Sequence, residues 1–287
     1  GMFAIAIHDS RDKSLHLIRD RMGKKPLWIS QLNDGTLFFA SEVRALMLAR
    51  PDRTLRTDMV AEVMQYGYIN APHSAFNEIT QVPPASVLTW RAGKTITKKY
   101  WELDFDSKIQ ISYEETLEVT KKLIEESVSR RLISERPLGS FLSGGYDSSC
   151  VTALLQQQSS SRIKTFTIGF EETAYNEAPH AAEVAKYLRT DHHEYICTFR
   201  EAMDIIPQLP DIFDEPFGDS SAIPTTLVSR FARKHVTVAL SADAGDELFA
   251  GYPRHRKNVN YQKKLSLVPD WLGKLAANLV PDKATTF

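Results

Sequence analysis

Seven consecutive residues, Ser143-Gly144-Gly145-Tyr146-Asp147-Ser148-Ser149, combine glycine flexibility, hydroxyl donors and a single carboxylate. Two adjacent glycines let a backbone turn tightly and approach a ligand with no side chain in the way. The apolar run Leu138 to Leu142 before them reads as a buried strand, and Ser148 to Gln156 after them as a helix. A helix start aims free N–H groups and positive dipole at whatever faces it, which suits an anion. Ser143 and Ser148 add hydroxyls. Asp147 is out of place in an anion site unless Mg²⁺ stands between its carboxylate and the phosphates. The loop contains no lysine followed by serine or threonine, so it is not a Walker A sequence. A plain Gly-Gly turn with Asp147 as a helix cap is the competing interpretation, and the strand before and helix after weigh against it.

A second run, Leu240-Ser241-Ala242-Asp243-Ala244-Gly245-Asp246-Glu247, puts three carboxylates within five residues. Such a group repels itself unless a cation or solvent offsets it. It follows the apolar stretch Val236 to Leu240, so in a parallel sheet it would open at the same carboxyl edge as the glycine loop. His192-His193-Glu194 could suggest a metal site. Neighbouring strand residues point to opposite faces, however, so these three are read as structural.

The elements needed to hold these loops follow from periodicity. Leu117, Ile124, Val128 and Leu132 recur at helical spacing over Tyr113 to Leu132, with Ser112 and Glu115 placed as a capping box. Strands are expected at Lys164 to Gly169, His193 to Ile196 and Val236 to Leu240, and helices at Glu177 to Leu188 and Ala222 to Lys234. That alternation implies a parallel sheet with helices on both faces. Before it the chain reads differently. Short strands at Phe3 to Ile7, Ser14 to Ile18, Pro26 to Ser30, Thr36 to Ala40, Ser86 to Trp90 and Thr95 to Trp101 surround two short helices, Glu42 to Leu48 and Asp58 to Tyr66. Asn33-Asp34-Gly35 and Ala92-Gly93 are hairpin turns. The polar stretch Leu103 to Ser112 separates two domains, residues 1–103 and 104–287.

The chain has 287 residues, 43% of them hydrophobic, with 35 basic and 36 acidic side chains and a formal charge of −1. This near balance argues against a nucleic-acid binder. No apolar run nears the roughly 18 residues that span a bilayer. The first residues lack the basic region of a signal peptide. Cys150 and Cys197 make neither a metal-type spacing nor a disulfide framework, and a reducing cytoplasm is expected.

Ser143 to Ser148 matches the Ser-Gly-Gly-x-Asp-Ser loop of the N-type ATP pyrophosphatases, and Leu240 to Glu247 resembles the acidic run of the asparagine synthetase family. Phe166-Thr167-Ile168-Gly169-Phe170, Tyr175-Asn176-Glu177, Asp191-His192-His193-Glu194 and Asp214-Glu215-Pro216-Phe217-Gly218-Asp219-Ser220-Ser221-Ala222-Ile223-Pro224 resemble further stretches of that family. Residues Gly1 to Ala4, Arg19 to Leu27 and Phe39 to Glu42 resemble the second half of its class II glutaminase domain. The resemblance implies an α/β protein: the tail of a glutaminase-type β-sandwich, then a doubly wound ATP-pyrophosphatase domain of the adenine nucleotide alpha hydrolase type. It implies ATP and Mg²⁺ as cofactors, with Asp147 and Asp246 on the metal. Leu142, Ser143, Gly144, Gly145, Asp147, Ser148, Ile168, Ser241 and Ala242 would contact the nucleotide, and Asp243 would serve acyl-adenylate formation. Aspartate would be amidated to asparagine, with ammonia drawn from glutamine in the full enzyme.

Three features depart from the family pattern. Ala242 and Ala244 stand where glycine is usual, and a left-handed backbone there would cost alanine roughly 1–2 kcal/mol. Residue 1 is glycine, whereas the glutaminase uses an N-terminal cysteine, so this chain is expected not to hydrolyse glutamine. A helical stretch near Trp271 to Leu279 carries lysines outside the family motif, and they receive no role. Exposed strand edges in the front region would favour association, including homo-oligomers. Other readings are amidation of a different carboxylate such as a polysaccharide uronic acid, a non-catalytic nucleotide- or partner-binding fragment, and a tRNA-modifying pyrophosphatase. The last is disfavoured by the neutral charge and the lack of a cysteine pair.

Overall fold

The front of the chain is built from hairpins. In the computed structural model, which describes residues 1–172 and 176–265, strands β1 (Ala4–Asp9), β2 (Ser14–Arg19), β6 (Ser86–Arg91) and β7 (Lys94–Lys99) form an antiparallel sheet in the order β1-β2-β6-β7. A second sheet has the order β4-β3-β5, from β3 (Trp28–Gln31), β4 (Leu37–Ala40) and β5 (Thr80–Gln81). Leu17 and Leu88 of the first sheet pack with Leu27 and Val82, and Ile29 and Leu37 of the second close around them. Each such side chain, once buried, contributes about 1.5–3 kcal/mol. The two expected turns carry the left-handed backbone that hairpins need: Gly35 has φ 89°, and Ala92-Gly93 have φ 46° and 77°.

Two helices, α1 (Val43–Ala49) and α2 (Met59–Tyr66), belong to this unit. So does a distant segment. Residues Pro207–Ser220, including the short helix α7 (Leu209–Ile212), group with Gly1–Gln110, while Ile111–Ile206 and Ser221 onward form the second unit. The reason is visible in the bonds. No side chain of the adjoining sequence caps α1; instead Asp214 Oδ2 accepts from Val43 N at 2.6 Å, and Asp214 Oδ1 pairs with Arg44 at 2.6 Å. Gly218 N donates to Gly67 O at 2.6 Å, and Glu215 Oε1 accepts from Ala75 N at 2.7 Å. Nothing in the local sequence announced this second crossing.

The rear unit starts with α3 (Tyr113–Arg131), whose capping box forms as expected between Ser112 and Glu115. Its expected apolar face is only partly used: Val128 is 4% exposed, but Leu117 is 58% exposed. Strands β8 (Leu138–Phe141), β9 (Lys164–Phe170), β10 (Asp191–Cys197) and β11 (Val238–Leu240) form one all-parallel sheet in the order β10-β9-β8-β11. Helices α4 (Tyr146–Gln158) and α5 (Ala178–Leu188) cover one face, where Ser140 meets Thr152 and Leu142 meets Ala181 and Ala185. Helix α8 (Ala222–Arg233) covers the other, packing Phe231 and Ala232 on Phe166 and Phe141. Helix α6 (Phe199–Ile205) follows β10, and α9 (Gly245–Phe249) and α10 (Pro253–Leu265) follow β11. Tyr175 and the Trp271 to Leu279 stretch lie outside the described residues. No helix among the described residues is long and apolar enough to cross a membrane.

Candidate functional site

The chain leaves β8 to reach β9 and β10 on one side, then returns to lay β11 against the other side of β8. Strand order therefore reverses at the β8–β11 pair, where loops at the carboxyl ends part and leave a crevice. The two loops singled out in the sequence are those that follow these two strands.

The loop after β8 is held from within. Ser143 Oγ and Ser148 Oγ lie 2.9 Å apart, and Ser148 Oγ also accepts from Ser143 N at 3.2 Å. Gly144 has φ +84°, and a Cβ there would come within 2.8 Å of Ala181 N and of His180. Gly145 is the N-cap of α4, and no side chain caps that helix. The first-turn amides of a thirteen-residue helix thus lack a side-chain acceptor at the loop.

The loop after β11 meets it. Gly245 lies so close to Asp147 that a Cβ on it would run into the carboxylate. Ala244, the N-cap of α9, is left-handed at φ 74° and ψ 8°. A cavity of about 440 Å³ opens between the strands' ends and α8, and Leu142, Ser143, Asp147, Ser148, Ile168, Ser241, Ala242 and Asp243 all line it. Gly144 and Gly145 shape its rim without lining it. Asp246 is in the first turn of α9, with its carboxylate against Gly251 and off the cavity wall.

The family model described as asparagine synthase matches residues 120–286, and the one described as glutamine amidotransferase domain matches residues 1–101. The chain belongs to the asparagine synthase family. It is 34% identical over 276 residues to asparagine synthetase [glutamine-hydrolyzing] 1 of Bacillus subtilis, covering 96% of this chain and 43% of that protein. It is 37% identical over 262 residues to a putative asparagine synthetase [glutamine-hydrolyzing] 2 of Methanocaldococcus jannaschii, covering 89% and 50%. The chain thus spans half or less of the length of these two relatives.

For this member of the asparagine synthase family, the two alanines in the acidic run prove unequal. Ala244 sits in the left-handed region, where a side chain costs roughly 1–2 kcal/mol. Ala242 is not among the residues of positive φ. Both methyl-bearing positions are accommodated in the same loop, and only one is strained.

The carboxylates on the cavity wall, Asp147 and Asp243, have the donor chemistry that a hard cation such as Mg²⁺ prefers. No hydrogen bond or ion pair from a described residue engages the carboxylates of Asp147, Asp243 or Asp246. Gly245, having no Cβ, lets the Asp147 carboxylate lie directly against its backbone. No group of three or more His, Cys, Asp or Glu among the described residues is arranged as a metal cage. Mg²⁺ takes one or two carboxylates and fills its shell with phosphate oxygens and water.

His192 and His193 do what the alternation of strand faces requires. Thr165 Oγ1 lies 2.9 Å from His192 Nδ1 on one face, and on the other His193 stacks on Phe166 at 5.4 Å and meets His235 in a tilted pair at 4.4 Å. The cavity also uses Thr167, Phe170, Glu177, Thr225 and Val228, to which the sequence reading gave no site role, although Thr167, Phe170 and Glu177 lie in stretches that it quoted. Glu177 and Thr225 stand near the N-termini of α5 and α8, a position that could have pointed to them. A larger cavity of about 500 Å³ lies in the front unit beside Trp28, Arg44 and Glu215. Two of its acids are engaged: Asp214 by Arg44 and Val43 N, Glu215 by Ala75 N. Burial pushes the Glu215 carboxyl above the usual range despite that amide. This lining is less suited to chemistry than the open carboxylates of the rear site.

Proposed function

We propose that the rear unit performs the ATP-dependent step of an amidation: a substrate carboxylate is joined to AMP with loss of pyrophosphate, and ammonia then displaces AMP. The observation that carries this reading is the meeting of the Ser143–Ser148 loop with the Ser241–Gly245 loop at the strand-order reversal, Asp147 packed against bare Gly245. The triphosphate would lie on the uncapped start of α4, with Ser143 and Ser148 donating to it. Ile168 would face the base, and Leu142, Ser241 and Ala242 the nucleoside. Asp147, with Asp246, would hold Mg²⁺, which supplies charge neutralisation of the β- and γ-phosphates.

A carboxylate oxygen attacks the α-phosphorus, and the bond to the bridging oxygen of pyrophosphate breaks. The negative charge that leaves with pyrophosphate is received by the amides at the start of α4. Ammonia adds to the acyl carbon, loses a proton, and the acyl–phosphate bond breaks to give amide and AMP. Asp243, on the cavity wall, would stand beside the adenylate as it forms. Aspartate is the proposed carboxylate and glutamine the proposed source of ammonia in the longer protein. The names of both relatives and the match to an amidotransferase domain support that choice.

Calorimetry with pyrophosphate and with ATP, each with and without Mg²⁺, tests the reading. Asp147→Asn is expected to weaken the Mg²⁺-dependent part of binding about tenfold, or about 1.4 kcal/mol. Equal Mg²⁺ dependence in the wild type and the variant would take Asp147 off the metal. Absence of binding by the wild type would sink the reading itself.

A further inference from the structure

The face of the sheet beneath α4 and α5 holds buried hydroxyls at Ser140, Thr165 and Thr167, where an apolar strand would be the simpler choice. Each is satisfied, as burial demands. Ser140 Oγ meets Thr152 Oγ1 of α4 at 3.1 Å, and Thr165 Oγ1 meets Thr190 Oγ1 and His192 Nδ1, each at 2.9 Å. Thr167 differs. Its hydroxyl donates to Leu142 O, the carbonyl of the residue that opens the glycine loop. Leu142 N meanwhile donates to Phe166 O at 3.0 Å. Both backbone polar groups of Leu142 are therefore fixed by β9, one through the ladder and one through a side chain from the neighbouring strand.

That arrangement has a directional consequence. The next residue is Ser143, whose Oγ sets Ser148 and whose Oγ also accepts from Gly145 N at 3.3 Å. Gly144 then turns through φ +84° against α5. A carbonyl free to rotate at Leu142 would alter ψ there and swing the Ser143 hydroxyl. With the carbonyl held, the loop enters its turn from one orientation. Thr167 is 3% exposed, and its hydroxyl is committed to the backbone.

We propose that Thr167, which also borders the cavity, is a positioning residue for the phosphate loop, its hydroxyl acting through the Leu142 carbonyl. For its affinity arm this rests on the loop being a pyrophosphate site; its exchange arm does not. Thr165 is the internal control: it lies two residues away on the same strand face, is as deeply buried, and bonds at the far end of the strand.

Three variants, Thr167→Val, Thr167→Ser and Thr165→Val, are compared by amide hydrogen exchange without ligand and by titration with magnesium pyrophosphate. Thr167→Val is expected to speed exchange at Ser143 to Ser148 about tenfold and to weaken pyrophosphate binding about tenfold, while Thr167→Ser keeps both near wild type. Thr165→Val is expected to lower the melting temperature while leaving loop exchange and affinity unchanged. Should Thr167→Val not fold, Thr167→Ala removes the same hydroxyl with less bulk. Unchanged loop exchange in the Thr167 variants that lack the hydroxyl overturns the proposal, and if affinity falls all the same, Thr167 touches the ligand directly. Equal loosening by Thr165→Val overturns it as well, by making the effect a general one of stability. A wild type that binds no pyrophosphate fails the functional reading and leaves the exchange result to decide this one.

Discussion

The loop after β8 and the loop after β11 each turn through a left-handed residue, Gly144 at φ +84° and Ala244 at φ +74°. In the first loop two demands fall on one position. Gly144 must be left-handed, and it must also lack a Cβ, because Ala181 N stands 2.8 Å from where that atom would be. In the second loop the demands are split. Ala244 supplies the handedness at a cost in strain, and Gly245, without a Cβ, lets the Asp147 carboxylate pack against the backbone. Handedness alone leaves a position negotiable, and a close backbone neighbour does not. That is why an alanine survives in one loop and not in the other.

The comparison breaks most visibly at Gly144. Gly144→Ala is expected to cost about 3 kcal/mol or more, from the left-handed backbone and the collision with α5 together. Gly145→Ala, whose Cβ would meet only Ser143 Oγ at 3.4 Å, is expected to cost under about 1 kcal/mol. Urea unfolding of the pair checks this, and similar midpoints would show that α5 yields.

Gly245→Ala should separate function from stability. Its methyl group falls on the Asp147 carboxylate, so Mg²⁺-dependent pyrophosphate binding is expected to weaken on the order of tenfold. Unfolding free energy should move by under about 1 kcal/mol, since alanine favours a helix over glycine. An unchanged Mg²⁺ dependence would mean that Asp147 has room to turn away.

The smallest effect has the opposite sign. Ala244→Gly is expected to stabilise the protein by about 1 kcal/mol, relief of strain exceeding the added entropy of the unfolded chain. A rise of roughly 2–4 °C in melting temperature would report it. Ala242→Gly, with no strain to relieve, is expected not to stabilise. Equal gains at both positions would erase the distinction between them.

Much of this was readable before the fold was known. A strand, two glycines and a helix start define the loop after β8 by local chemistry, and the acidic run follows its own apolar strand. The hairpin at Gly35 and the capping box at Ser112 are likewise local. What escaped was non-local. Helical spacing placed Leu117 and Val128 on one face but could not tell how far the covering helix reaches, so Leu117 is exposed. Thr167 reads as an ordinary strand residue until Leu142 O is placed beside it. Strand β5 spans only Thr80–Gln81, too short to show a period. Asp214 caps α1 across 171 positions, and no window over the sequence joins them.

The Pro207–Ser220 segment bears on how the polypeptide is made. Chains generally fold by domains as they emerge, the N-terminal part first. Here the front unit lacks Asp214, Glu215 and Gly218 until residue 220 has been added. At ribosomal speeds of roughly 5–20 residues per second, the wait from residue 110 is on the order of 5–20 s. During it α1 has no cap and Gly67 O no partner from Gly218, while β8, β9 and β10 are already outside the exit tunnel or entering it. The nascent front unit is therefore exposed to chaperones and proteases for longer than its length alone would dictate, and its completion is timed by the synthesis of the unit behind it.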